Sequence, residues 1–299
     1  MLVIVSAAVF LAAPPLSEIT IPGDRPFPES VTSTSDGTLY VGSIAKHLVF
    51  KVAPGAAVAA PWISPGANGL QAVVGVFADE RAGTLWVCSS SPPEQGGPSA
   101  LKSFDLKTGK SKGSFPFPGA KSFCNDIAVG PDGTTYVTDT NNPHILRLKP
   151  GAAALEVWAT DSRFDSLDGI AFGDATTLYV NTVRSGHLFR IHLGRDGAAG
   201  QITQLALSAK LEGPDGMRSS GHNQLLLIEG GRLDRVTFDG DTAKIQVLKG
   251  GFTGSTAVTQ VGNTAWVLEA KLAYMSDPKL KDKDPGPFKL YAVSLNEKK

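Results

Sequence analysis

The chain has 299 residues, with 28 basic and 28 acidic side chains and no long block of one sign. Nucleic acid and anionic membrane surfaces are therefore not expected partners. Its 33 glycines, 20 prolines and scarcity of helix-forming runs disfavour a helix-rich α/β fold, and a chain of this length can bury a core without disulfide or zinc staples.

Residues 2–13 are an apolar run followed by Pro14-Pro15. The length suits the core of an export signal and is too short to span a bilayer as a helix. No Lys or Arg precedes it. Residues 1–15 thus read as a shortened or uncleaved export signal, placing the protein in the periplasm or outside the cell, or as an apolar N-terminal strand of a cytoplasmic protein. No other segment approaches transmembrane length. Residues 16–299 read as a single domain.

From there a triplet recurs: Leu39-Tyr40-Val41, Leu85-Trp86-Val87, Thr135-Tyr136-Val137, Leu178-Tyr179-Val180, Leu225-Leu226-Leu227 and Ala265-Trp266-Val267. The first residues lie 46, 50, 43, 47 and 40 positions apart, the period of one four-stranded propeller blade. Tight-turn residues precede most triplets, as in Ser35-Asp36-Gly37 and Gly130-Pro131-Asp132-Gly133, and join two strands there. Alternating third strands follow, such as Leu48–Val52 and Ile145–Leu148, then outer strands such as Glu156–Trp158 and Ile245–Leu248. The last repeat has no room for an outer strand, which residues 16–22 can supply. The fold predicted is an all-β, six-bladed β-propeller closed by an N-terminal strand; a β-sandwich pair does not explain six repeats in register. Cys88 and Cys124 lack metal or redox spacing and read as buried thiols, with a bridge between them as the alternative.

Ten residues before the triplets stand Glu29, Asn125, Asp168 and Asp215, with Ser255 in the last repeat and Val74 in the second after alignment of its longer hairpin. Equal offset means equal depth on equivalent inner strands, so these side chains should converge on the axis. Taken singly, Asp168-Gly169 and Asp215-Gly216 are ordinary turn dipeptides; the shared offset gives them weight. Three carboxylates and an amide forced together repel unless a cation intervenes. All-oxygen ligands favour Ca²⁺, with Mg²⁺, Mn²⁺ and, lacking a convergent His or Cys, Zn²⁺ as alternatives. The next residue, Asp126, should point away from the channel if side chains alternate.

These landmarks (Pro28-Glu29, Asn125-Asp126-Ile127-Ala128, Leu167-Asp168-Gly169-Ile170-Ala171 and Pro214-Asp215-Gly216) resemble the family of regucalcin, gluconolactonase and luciferin-regenerating enzyme, over about Phe27 to Leu295. The resemblance implies a six-bladed propeller holding a divalent ion, usually calcium, for hydrolysis of sugar lactones. It implies Glu29, Asp168 and Asp215 as metal ligands and Asn125 as a contact to metal or substrate. Two departures stand out. Asp168 occupies a position where the family usually has Asn, and Phe123 a position where the sugar-lactone enzymes tend to place a substrate-binding Arg.

The resulting expectation is a metal-dependent lactonase or esterase acting on a small molecule as a monomer. The metal would polarise the carbonyl, and Asp215 would be the general base. Loops between second and third strands open on the same face and offer Asn142, His144, Arg184 and His187 as substrate contacts, with His47 in an equivalent position. Residues 271–287 form the longest insertion, a candidate lid. His192 and His222 have no assigned role. The competing readings are a non-enzymatic binding propeller with a structural calcium and, less favoured, a strictosidine-synthase-like condensing enzyme.

Overall fold

The computed structural model describes residues 16–91, 98–119 and 121–296; the apolar run before Leu16 lies outside them. Six antiparallel sheets form a ring, and each triplet falls in the second strand of its blade. The inner strands are Pro28–Ser33, Ala72–Asp79, Cys124–Val129, Leu167–Asp174, Pro214–Ser219 and Ser255–Val261, for blades 1 to 6 in order. The N-terminal strand Glu18–Ile21 pairs with Phe288–Ser294 and becomes the outer strand of blade 6. Closure through the first strand leaves no open edge between the last blade and the first. Blade 5 gains a short fifth strand, Ala206–Leu207, parallel to its outer strand.

Local chemistry accounts for the hairpins. In blade 1, Asp36 Oδ1 accepts Thr34 Oγ1–H at 2.7 Å and Thr38 N–H at 2.9 Å while Gly37 sits at φ 89°, a side-chain-braced turn that reverses the strand. Asp132 and Gly133 repeat this in blade 3. Among the described residues the core divides into six apolar clusters, one between each pair of adjacent blades. Tyr136 and Tyr179, from the triplets of blades 3 and 4, are almost fully buried. Tyr179 stacks on Phe238 of blade 5 with ring centroids 3.8 Å apart. Each triplet thus packs one blade against the next, which explains its recurrence.

Cys88 and Cys124 form a disulfide with Cα atoms 5.2 Å apart, so of the two readings for the cysteines the bridge is the one realised. It staples the second strand of blade 2 to the inner strand of blade 3. No helix of the described residues is long and apolar enough to cross a membrane.

Candidate functional site

Every inner strand carries a register shift at the same depth: Pro28/Val31, Val73/Val76, Cys124/Ile127, Leu167/Ile170, Pro214/Met217 and Ser255/Ala257. A bulge inserts extra backbone and re-aims side chains. Glu29, Asn125, Asp168 and Asp215 fall inside these bulges and so leave the ordinary alternation together, whereas Ser255 is the paired residue at the edge of its bulge, opposite Glu269, and Thr256 is the inserted one.

Tight backbone approach makes the ring compact. A side-chain carbon on Gly75 would lie 2.1 Å from Asn125 O, and one on Gly169 would lie 2.4 Å from Asp215 O, so glycine is required at both positions. Side chains on second strands, and Thr256 on the inner strand of blade 6, then lace neighbouring blades. Thr138 Oγ1–H donates to Asp168 O at 2.7 Å, Asn181 Nδ2–H to Asp215 O at 2.6 Å, and Thr256 Oγ1–H to Glu29 O at 2.6 Å.

The four side chains act on one another, with Asn125 presenting its amide nitrogen rather than its oxygen to Asp168. Asn125 Nδ2 donates to Asp168 Oδ2 and to Thr140 Oγ1, both at 2.9 Å. Glu29, Asn125 and Asp168 are 7%, 6% and 7% exposed, whereas Asp215 is only partly buried. Burial, then Asp168 and Asp126, push Glu29 well above the usual carboxylate range, with Arg218 pulling it back. Burial and Asp126 push Asp168 up to about 7, against hydrogen bonds from Asn125 and Asp215. Burial, Asp168 and Glu29 raise Asp215 strongly, and the Gly216 N–H opposes them. Burial and mutual repulsion thus favour the protonated forms of these acids unless a cation compensates them.

The donor set fits a hard cation: three carboxylates and an amide oxygen, with Glu29 Oε2 buried and lacking any hydrogen-bond partner. Among the described residues, no three His, Cys, Asp or Glu side chains are already spaced as a cation cage. Holding an ion would require the carboxylates to draw together and Asn125 to turn its amide oxygen inward.

Asp126 corrects the expectation that it points away from the channel. The bulge turns it into the axis, where it pairs with Arg218 of blade 5 at 2.8 Å and accepts Ile170 N–H at 3.2 Å. Simple alternation fails because Asn125 and Asp126 share the bulge.

The loop candidates separate. His144 Nε2 lies 3.2 Å from Asp139 Oδ2, which also accepts Asn142 Nδ2–H at 3.0 Å. Both side chains thus serve a buried carboxylate rather than the ring. His187 packs edge-on against Phe189 at 6.0 Å, and His47 is exposed at φ 54°. None of the three histidines hydrogen-bonds a ring residue. Arg184 is exposed and lines a polar cavity of about 270 Å³ with Thr140, Asn141, Asn142, Asp165 and Ser166. Thr140 joins that cavity to the ring through Asn125. The candidate lid is pinned: Arg25 donates to the carbonyls of Tyr274, Lys281 and Lys283, and Lys271 to those of Pro285 and Pro287.

A second repeat runs through the second strands. Four residues after each triplet begins stand Ser43, Ser89, Asp139, Thr182, Glu229 and Glu269. Ser89, Asp139 and Glu269 accept the N–H groups of Gln71, Phe123 and Thr253 at 2.9, 2.9 and 2.7 Å, and Glu229 accepts that of Glu212. These side chains tie down the loops entering the inner strands. The regular offset was visible and would have marked the buried Asp139, Glu229 and Glu269 as structural.

No protein-family model matches the sequence, and no curated protein does. Solved structures do. A gluconolactonase from Xanthomonas campestris is similar at 16% identity with a TM-score of 0.65, over 89% of this chain and 86% of that one. A calcium-binding regucalcin from Agrobacterium tumefaciens is similar at 16% identity and TM-score 0.63, over 93% and 96%. A virginiamycin B lyase from Staphylococcus aureus is similar at 15% identity and TM-score 0.64, over 92% and 83%. The likeness is one of fold. It is the six-bladed propeller expected from the repeats, and it includes the gluconolactonase and regucalcin structures that the sequence landmarks resemble.

Proposed function

We propose that this propeller is a divalent-cation-dependent hydrolase of a lactone or related ester. The observation carrying the reading is the convergence of Glu29, Asn125, Asp168 and Asp215 around a buried, unpartnered Glu29 oxygen. Glu29, Asp168, Asp215 and the Asn125 amide oxygen would hold the ion, with calcium favoured by an all-oxygen donor set. A bound cation supplies a Lewis acid for a carbonyl.

The chain's own residues supply the rest. Asp215 is the least buried of the three carboxyls and the one best placed to take a proton from attacking water. Thr140, which accepts the Asn125 amide N–H and donates to Leu167 O at 2.7 Å, ties Asn125 to the neighbouring cavity. The cavity containing Thr140 and Arg184 would receive the rest of the molecule, while Asn142, His144 and His187 shape its surroundings through loop contacts. Phe123, in the position of the family's substrate-binding arginine, favours a less polar ring than a sugar lactone. The gluconolactonase and regucalcin folds support the reading, and the Cys88–Cys124 disulfide fits an oxidising compartment.

The near-complete burial of Glu29, Asn125 and Asp168 favours one competing reading, a binding propeller with a structural ion. Elemental analysis followed by a lactone and phosphotriester panel, with and without added Ca²⁺, separates them. Turnover that depends on the ion supports the hydrolase. Stoichiometric metal with no turnover across the panel supports the binding protein, and absence of any metal or thermal response to Ca²⁺ overturns both.

A further inference from the structure

One to three residues beyond the ring, the inner strands build a second polar layer. Arg218 Nη1 donates to Asp126 Oδ1 and Oδ2 at 3.0 and 2.8 Å and to Met217 O at 2.6 Å. Its Nη2 donates to Val76 O at 3.1 Å and Ser30 Oγ at 3.4 Å. Asp126 Oδ2 also accepts Ile170 N–H. Ser30, Val76, Asp126, Ile170 and Arg218 belong to the inner strands of blades 1, 2, 3, 4 and 5, so one guanidinium and one carboxylate span most of the axis. Both are buried, at 8% and 4% exposure.

We infer that Arg218 and Asp126 form a neutral floor that sets the charge the acid ring offers to a cation, with Arg218 as a positioning residue. The inference rests on the cation reading of the ring. A buried ion pair is seldom more stable than an apolar plug of equal volume, so stability alone does not account for it. Charge does. Asp126 follows Asn125 in one bulge and accepts the N–H of Ile170, two residues beyond Asp168, while Arg218 reaches Ser30 next to Glu29. The carboxylate accordingly opposes ionisation of Glu29, Asp168 and Asp215, and the guanidinium favours that of Glu29. With Arg218 present, Asp126 does not count as a fourth acid beside the ion. Without Asp126, the guanidinium cannot shed its proton and becomes an uncompensated positive charge beneath the cation site.

The test is calorimetric titration of Ca²⁺ into the full chain, with circular dichroism checking the fold of each variant. Asp126→Asn preserves shape and an acceptor for Ile170 N–H but strands the Arg218 charge. Its Kd should rise about tenfold or more, the scale of one extra unit charge acting on a divalent ion across partly screened protein. Asp126→Asn combined with Arg218→Met removes both charges and should return Kd to within about threefold of wild type, although it disturbs packing more. A purely structural floor predicts the reverse, with the double variant binding at least as weakly as the single. That result, or an unchanged Kd in Asp126→Asn, overturns the inference while leaving the cation reading intact. If Asp126→Asn does not fold, Asp126→Leu combined with Arg218→Met supplies a second neutral floor. Its Kd must match wild type, and a tenfold loss overturns the inference. Wild-type protein that binds no Ca²⁺ overturns both the inference and the reading beneath it.

Discussion

Asp215 on the inner strand of blade 5 and Asp234 on its third strand are both acids whose surroundings push them above the ordinary carboxylate range, yet they belong to different kinds of place. Asp215 meets carboxylates from blades 1 and 4 across the axis. Asp234 is fully buried with neither oxygen hydrogen-bonded within the usual limits, and it is raised to about 7 by burial and by its own neighbour Glu229, against Arg232. Glu229 is already committed to Arg232 at 2.5 Å and to the Glu212 N–H. A raised carboxyl pKa therefore does not by itself mark a site. Convergence from separate blades does, because a cation can neutralise several strands' acids at once, whereas the blade 5 pair has its cation, Arg232, built in.

Turnover should show the largest contrast. Asp215→Asn keeps a ligand oxygen but cannot take a proton, so activity should fall by ~10²-fold or more even at saturating Ca²⁺. Asp168→Asn removes one charge and keeps the shape, so excess Ca²⁺ should restore much of the rate. Activity titrated against Ca²⁺ for both variants checks this, and equal rescue reduces Asp215 to a ligand. Asp234→Asn should leave the calcium dependence of turnover untouched.

Stability gives the next effect. Calcium at about a hundred times its Kd should stabilise the fold by about 2.7 kcal/mol, and chelation should remove that gain, as read by thermal melts. Glu229→Gln should instead cost about 1–3 kcal/mol by weakening the caps on Glu212 N–H and Arg232, equally with and without calcium.

The pH dependence follows from the sign of the shifts. Asp168 and Asp234 are each raised to about 7, so the folded state holds protons that the unfolded chain releases near pH 4. Stability of the metal-free protein should then fall as pH rises from about 4 to about 7. Asp234→Asn should flatten that slope without calcium, and Asp168→Asn should do so as well. Added calcium should flatten only the axial share. Melts from pH 4 to 8 in chelator and in excess Ca²⁺ resolve the two. A slope that calcium leaves wholly unchanged would place the titrating acids outside the ring.

The blades and the ring positions were legible because both repeat: the triplets at blade period, and Glu29, Asn125, Asp168 and Asp215 ten residues earlier. What escaped has no period or needs three dimensions. Arg218 has no counterpart in the other blades, so nothing in the sequence pairs it with Asp126, 92 residues away. The bulge that turns Asp126 inward breaks the alternation on which a strand reading relies. Cys88 and Cys124 are 36 residues apart, and only the packing of blade 2 on blade 3 joins them. The caps at Asp139, Glu229 and Glu269 do repeat at a fixed offset that marks them as structural, but which loops they hold needs the fold.

The smallest expected effect compares two residues of the loop face, Arg184 and His144. Arg184 is exposed and makes no ion pair or hydrogen bond among the described residues, yet it lines the cavity that Thr140 joins to the ring. Arg184→Ala should therefore change stability by no more than about 0.5 kcal/mol while raising KM by roughly threefold to tenfold with kcat little altered, the pattern of a uniform binding contact. His144 is held by Asp139, which also carries the Phe123 and Asn141 N–H groups at 2.9 and 3.1 Å. His144→Ala should cost about 1 kcal/mol of stability through that network and leave KM unchanged. Steady-state kinetics and melts on the two variants check the pair. If Arg184→Ala leaves KM unchanged while His144→Ala raises it, substrate enters on the His144 side of the loop and the cavity beside Thr140 is not the entrance.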